Sequence, residues 1–176
     1  MNRKSTNITI LLLIVVIAIF VTMSFFGLGG FSFGRSAATT PVQSFFDELN
    51  TTGTVADLRV ETVVEGTGDA IAPGDTIAVH YTGTLTDGTV FDSSRDRGAP
   101  LTLIVGADGS LMTPEGGSLI AGWNRGLQGI KVGERRLLII PPSLGYGAQS
   151  IGSIPSNSTL IFDVELVNRT PAQSGT

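Results

Sequence analysis

Hydrophobic and polar positions follow three different patterns along the chain. In residues 8–26, ITILLLIVVIAIFVTMSFF, no charge interrupts the run, and Arg3 and Lys4 stand before it. Coiled as a helix, the run would reach about 28 Å at ~1.5 Å per residue, close to the hydrocarbon thickness of a bilayer. Such a helix has no polar face to turn toward water, so the pattern predicts a membrane-spanning segment rather than a core helix. The run is longer than the apolar stretch of a typical cleaved signal. The first small-residue site, Ser36-Ala37-Ala38, also lies well downstream. A retained anchor is therefore expected in preference to secretion after cleavage. Basic residues before the run predict a cytoplasmic N-terminus and an extracytoplasmic remainder at the cell membrane.

Residues 27–55 lose that pattern. Glycines come first, then SAATTPVQ, then SFFDELNTTG, where Phe45, Phe46 and Leu49 suit one or two amphipathic helical turns in a tether.

From residue 56 the period drops to two, the signature of half-buried strands. LRVETVVEG (58–66) is β-branched and closes on Gly66-Thr67-Gly68. TIAVHYTGTL (76–85) sets Ile77, Val79 and Tyr81 on one face and Ala78, His80 and Thr82 on the other. Asp87-Gly88 marks a hairpin turn, followed by VFD (90–92) and LTLIV (101–105). ERRLLII (134–140) is stopped by Pro141-Pro142. In TLIFDVELVNR (159–169), Leu160, Phe162, Val164 and Leu166 face inward, Asp163 and Glu165 outward. One segment departs from this rhythm. SLIAGWNRGLQGI (118–130) spaces Leu119 or Ile120, Trp123, Leu127 and Ile130 as a helix would, with Gly129 or Gly133 to end it. The reading is α+β: antiparallel strands with one apolar face, and one short helix to cover it. The boundaries are a tip and anchor at 1–28, a linker at 29–55, a domain at 56–169 and a tail at 170–176.

Composition narrows the chemistry. The 176 residues include no cysteine and one histidine, His80, and the net charge is −4 with scattered basic residues. Thiol chemistry is excluded, and a nucleic-acid partner is not expected without clustered Lys and Arg to neutralise phosphates. The acidic residues form no calcium-loop pattern and the glycines no phosphate loop, so neither a metal nor a cofactor is expected. In GTVFDSSRDRG (88–98), Ser93 and Ser94 sit beside Asp92, but a nucleophilic serine needs a base. His80 lies on another strand, on the face opposite Tyr81, and reads as an exposed strand residue. PPSLGYG (141–147) is only superficially like a nucleophile elbow. What remains is aromatic: Tyr81 and Phe162 inward, Trp123 in the helix, Phe91 and Tyr146 beside loops. Taken singly, each of these reads more readily as core packing than as site.

Three stretches carry a further signal. VHYTGTLTDGTVFDSSRDRGAPLTLIVG (79–106), LIAGWNRGLQGIKVGERRLLIIPPSLGYGA (119–148) and IPSNSTLIFDVELV (154–167) closely resemble the FKBP family of peptidyl-prolyl cis–trans isomerases. The resemblance spans roughly 58–168. It implies an antiparallel sheet of five to six strands wrapped around one short α-helix, here preceded by a single transmembrane helix, with the pocket between sheet and helix. By position, Tyr81, Phe91, Asp92, Trp123, Tyr146 and Phe162 would be catalytic, with Trp123 as the floor and Phe91 and Phe162 lining the proline site. Asp92 would lie near the carbonyl carbon of the twisting bond, held by Arg97. Leu101, Leu119, Ile120 and Ile151 would bind substrate, the Ile120 amide and Tyr146 hydroxyl bonding its backbone. Ser93, Ser94, Arg95 and Asp96 would be loop and surface.

This sequence also departs from the family pattern. Leu101 stands where archetypal members have an aromatic. AQSIGSI (148–154) lacks their frequent His-Pro pair. ADGSLMTPEGGS (107–118) is longer than in the smallest members and is expected to form a flap over the site. The implied function is isomerisation of Xaa-Pro bonds in exported polypeptides, without a cofactor, with macrolide inhibitors as further ligands and the bilayer contacted through 8–26. The alternative is a tethered chaperone or proline-binding scaffold with little turnover, suggested by Leu101 and the insert.

Overall fold

The computed structural model describes residues 54–173. The expected spanning segment and nearly all of the linker lie outside them. The described chain forms β1 (Arg59–Val64), β2 (Thr76–Leu85), β3 (Val90–Ser93), β4 (Leu101–Val105), β5 (Leu111–Met112), α1 (Ala121–Gly126), β6 (Arg135–Ile140) and β7 (Leu160–Thr170). The strands make one antiparallel sheet in the order β1-β6-β7-β2-β4-β5.

Alternation explains why β2 and β7 sit at its centre. Ile77, Val79 and Tyr81 are buried, as are Leu160, Phe162, Val164 and Leu166, and the two strands pair from Thr76↔Thr170 to Leu85↔Leu160. The other edge of β2 is shared. β4 pairs with Thr76–Val79, and β3 pairs with Thr82–Thr84. Residues 94–100 bridge this change of partner.

The sheet has seven strands, against the five to six expected. The insert supplies β5, which pairs Ile104↔Met112 and Val105↔Leu111 along β4. Leu111 is buried, and its amide donates to Asn124 Oδ1 at 2.9 Å. The insert is therefore sewn to the sheet edge and is not the flap expected.

The helix is also shorter than the expected 118–130. Ile120 enters it extended, at φ −60° and ψ 148°, and Leu127 leaves it at φ −102° and ψ 4°. Arg136 on β6 accounts for the early stop, because its Nη1 donates to the carbonyls of Gly126 and Gln128, both at 2.9 Å. Those carbonyls are satisfied from outside the helix, so further turns are not needed. Leu127 and Ile130 remain fully buried, which explains why the apolar spacing ran past the helix. Gly122 and Gly126 let α1 lie close on β6. A Cβ at Gly122 would meet Ile140 Cγ2 at 2.4 Å, and one at Gly126 would meet Leu138 Cδ2 at 2.8 Å.

Candidate active site

The concave face of the sheet and the start of α1 enclose a cavity of about 430 Å³. Its walls follow from strand alternation and helix phase. Tyr81 and Phe162 point inward from neighbouring β2 and β7, and Trp123 points down from α1. Their rings pack edge to face: Tyr81–Trp123 at 5.2 Å and 88°, Trp123–Phe162 at 5.3 Å and 90°, Phe91–Phe162 at 5.4 Å and 86°. Aromatic rings favour this geometry because a ring edge is positive and a face negative. Gly83 makes room for it. A Cβ there would come within 2.6 Å of Phe91 Cζ and 2.8 Å of Phe162 Cε1. Sequence reasoning passed over this residue, although a glycine inside a strong strand is itself a sign of close approach.

All ten cavity residues expected from the sequence line this one space: Tyr81, Phe91, Asp92, Leu101, Leu119, Ile120, Trp123, Tyr146, Ile151 and Phe162. Ser118, Gly152, Ser153 and Ile154 line it as well and were not anticipated. The last three belong to a tight loop closed by the Ile151↔Ile154 bridge, which carries no periodic signal. Arg97 is outside the lining and touches it through Asp92 and Tyr81.

Asp92 is the one acidic group on the wall. Its Oδ2 accepts from the Tyr81 hydroxyl at 2.5 Å, and its Oδ1 accepts from Arg97 Nη1. Arg97 Nη2 also donates to the Tyr81 oxygen at 2.7 Å, with the guanidinium over the ring at 5.5 Å from its centroid. Partial burial alone would raise the Asp92 pKa. The Tyr81 hydroxyl and the Arg97 guanidinium outweigh it and hold the carboxyl below its ordinary range. Burial, then the hydrogen bond to Asp92, pushes the Tyr81 phenol up despite Arg97. Near neutral pH the cavity rim thus carries a fixed carboxylate and an un-ionised phenol.

The serines are not the surface residues expected. Ser94 is 0 % exposed. Its Oγ accepts from the Tyr81 amide at 2.8 Å and lies 3.2 Å from the Tyr81 carbonyl oxygen and 3.1 Å from His80 Nδ1. Ser93 is buried too and accepts from the Asp96 amide at 3.2 Å. A polar side chain in a loop can be buried when it turns back to bond a strand backbone, and no periodic pattern signals that. His80 is accordingly half-buried beside Ser94, not simply exposed. Neither serine reaches the cavity. Arg95 is exposed and pairs with Glu165 at 2.5 Å.

Comparison with known proteins agrees with this geometry. Residues 68–167 match the family model described as FKBP-type peptidyl-prolyl cis-trans isomerase. FK506-binding protein 2 of Dictyostelium discoideum is 54% identical over 95 residues, which cover 53% of this chain and 65% of that protein. FK506-binding protein 1A of Neurospora crassa is 46% identical over 120 residues, covering 67% of this chain and 92% of that protein. The crystal structure of FkpA from Escherichia coli superposes with a TM-score of 0.56 and 39% identity, over 74% of this chain and 58% of that one.

Proposed function

The chain belongs to the family of FKBP-type peptidyl-prolyl cis-trans isomerases and its domain catalyses rotation about Xaa-Pro bonds; on that premise we propose that the aromatic cavity is where the bond turns. Rotation breaks amide resonance, a barrier of ~18–20 kcal/mol, and requires no proton transfer and no bond cleavage. The twisted amide is less polar at oxygen and more pyramidal at nitrogen. A cavity walled by Phe91, Trp123 and Phe162 excludes water and suits that form better than the planar one. Differential binding of this kind lowers the barrier.

Each polar group then has a part. As the nitrogen lone pair leaves the carbonyl carbon, positive charge grows there, and the Asp92 carboxylate stabilises it. Arg97 and the Tyr81 hydroxyl keep that carboxylate ionised and aimed. The Ile120 amide, ahead of the first helical turn, has no intrahelical carbonyl to bond and meets the substrate backbone with the Tyr146 hydroxyl. Leu101, Leu119 and Ile151 hold the flanking residues. A macrolide of the kind named for the relatives would compete for this space.

The observation that carries the reading is the meeting of Asp92, Tyr81 and Arg97 at the rim of a ring-walled cavity. NMR exchange on the full-length chain with a set of Xaa-Pro peptides tests it. Wild type should accelerate exchange, and Trp123→Ala and Phe91→Ala should each reduce kcat/KM by an order of magnitude or more. Equal rates in all three proteins would reject the cavity as the site.

Residues 8–26 support a further part of the proposal, a membrane-anchored enzyme whose domain lies outside the cell membrane and serves newly exported polypeptides. Uncatalysed prolyl isomerisation takes tens to hundreds of seconds and limits folding, so a tethered catalyst there is useful. Protease added to intact spheroplasts should degrade the domain. Full protection would overturn the topology.

A further inference from the structure

Beside the proline cavity lies a second cleft of about 460 Å³, and Leu101 lines both. Arg97 and Pro100 wall it on one side, Thr113, Pro114 and Glu115 on the other. The second wall exists only because of the insert, and it is held firmly. β5 pins one end of it to β4 through the buried Leu111. The next four residues, Thr113-Pro114-Glu115-Gly116, make a β-turn closed by the Gly116 amide on the Thr113 carbonyl at 2.9 Å. Proline at the second position and glycine at the fourth suit such a turn. The Thr113 amide bonds the Gly117 carbonyl at 2.8 Å, and the Gly117 amide bonds Thr113 Oγ1 at 3.1 Å. Glu115 is thereby presented at a fixed turn position rather than on a loose loop.

The charges in this cleft do not cancel. Arg97 is already engaged by Asp92. Glu115 is exposed and makes no ion pair with any described residue. The cleft therefore offers apolar leucine and proline surface with an uncompensated carboxylate on one wall.

We propose that this cleft extends the substrate site: it takes the polypeptide stretch adjoining the proline and selects a basic side chain there through Glu115. The proposal rests on the isomerase reading, because the cleft gains its occupant by continuity with the proline cavity across Leu101. It names a substrate class, proline segments flanked by lysine or arginine.

The test uses the full-length chain and fluorescent Xaa-Pro peptides. One is short enough to fill only the proline cavity. Longer ones carry Lys, Ala or Glu at each of three positions on either side of the proline. At one position, Lys should exceed Glu in kcat/KM by about threefold, the scale of an exposed ion pair. The ratio should fall to unity in Glu115→Gln and reverse in Glu115→Lys, each normalised to the short peptide. A flat charge profile in wild type, or the same Lys preference in all three proteins, would overturn the proposal. Failure of wild type to turn over even the short peptide would count against the isomerase reading instead. Binding titrations of the same peptides, which need no turnover, then decide the cleft by the same ratios.

Discussion

Two aspartate–arginine clusters flank β2, and they resemble each other in chemistry but not in setting. At its start, Asp75 is 1 % exposed, and its carboxylate accepts from Arg169 Nε at 2.5 Å, the Ala72 amide at 2.7 Å and the Ala172 amide at 3.2 Å. It fastens the turn before β2 to the end of β7. Beyond its other end, the Asp92 and Arg97 side chains are 43 % and 51 % exposed, and the third partner is a phenol on a cavity wall. A largely buried arginine and two backbone amides enclose the first carboxylate, whereas the second is held mainly by two side chains at the border of an open space. The number of partners is similar; what differs is whether the charge looks into protein or into a cavity. That difference separates a carboxylate that holds the fold from one available to a substrate.

The contrast is sharpest in stability. Asp75→Ala strips two amides of their acceptor and leaves Arg169 with only the exposed Asp69, at 3.2 Å, and should cost on the order of 3 kcal/mol, read by chemical denaturation. Burial alone would raise the Asp75 pKa, but the Arg169 and backbone hydrogen bonds hold it below its ordinary value of 3.8. A depressed folded pKa means that the unfolded chain takes up the proton first. This contribution is therefore present above pH ~4 and is lost as pH falls through the folded value. Asp75→Asn should flatten that acid limb of the stability profile. An unchanged limb would remove Asp75 from the structural side of the comparison.

Ser94→Ala is next in size. It strips the Tyr81 amide of a buried acceptor at 2.8 Å and should cost about 1–3 kcal/mol. Turnover should fall less than stability, since the Tyr81 ring keeps its contacts with Trp123 and Phe162. A stability change near zero would mean that Ser94 belongs with the solvated loop after all. The smallest effect on the fold is expected of Asp92→Val, about 0.2–1 kcal/mol, the usual worth of an exposed ion pair. Its kcat/KM should nevertheless drop about tenfold, or ~1.4 kcal/mol of barrier. Equal losses of stability and turnover at Asp92 would erase the distinction between the clusters.

The central strands and the aromatic walls were legible in the chain because their signals are local and repeated. Ile77-Val79-Tyr81 and Leu160-Phe162-Val164 show period two, and Trp123 sits at helical phase with Leu127. Features decided by a distant residue were not legible. Arg136 on β6 ends α1, and Ser94 reaches back to the Tyr81 backbone. β5, only Leu111–Met112, is too short to show a period at all and exists through its pairing with β4. Within the cavity the same division holds. Residues on β2, β7 and α1 could be placed from their spacing, while Asp92 and Arg97 were placed by resemblance. Gly152, Ser153 and Ile154 came from neither.

The shared edge of β2 carries one more consequence. Residues 94–100 join Asp92 on β3 to Leu101 on β4. One short connector thus ties the charge proposed to act on the turning bond to Leu101, which lines both the aromatic cavity and its neighbouring cleft. Changing its length would move both together, so chemistry and substrate choice are geared to one another here. On the proposed reading, substitutions at Glu115, which lies beyond that connector, leave a route by which preference can drift while Asp92 and its partners stay in place.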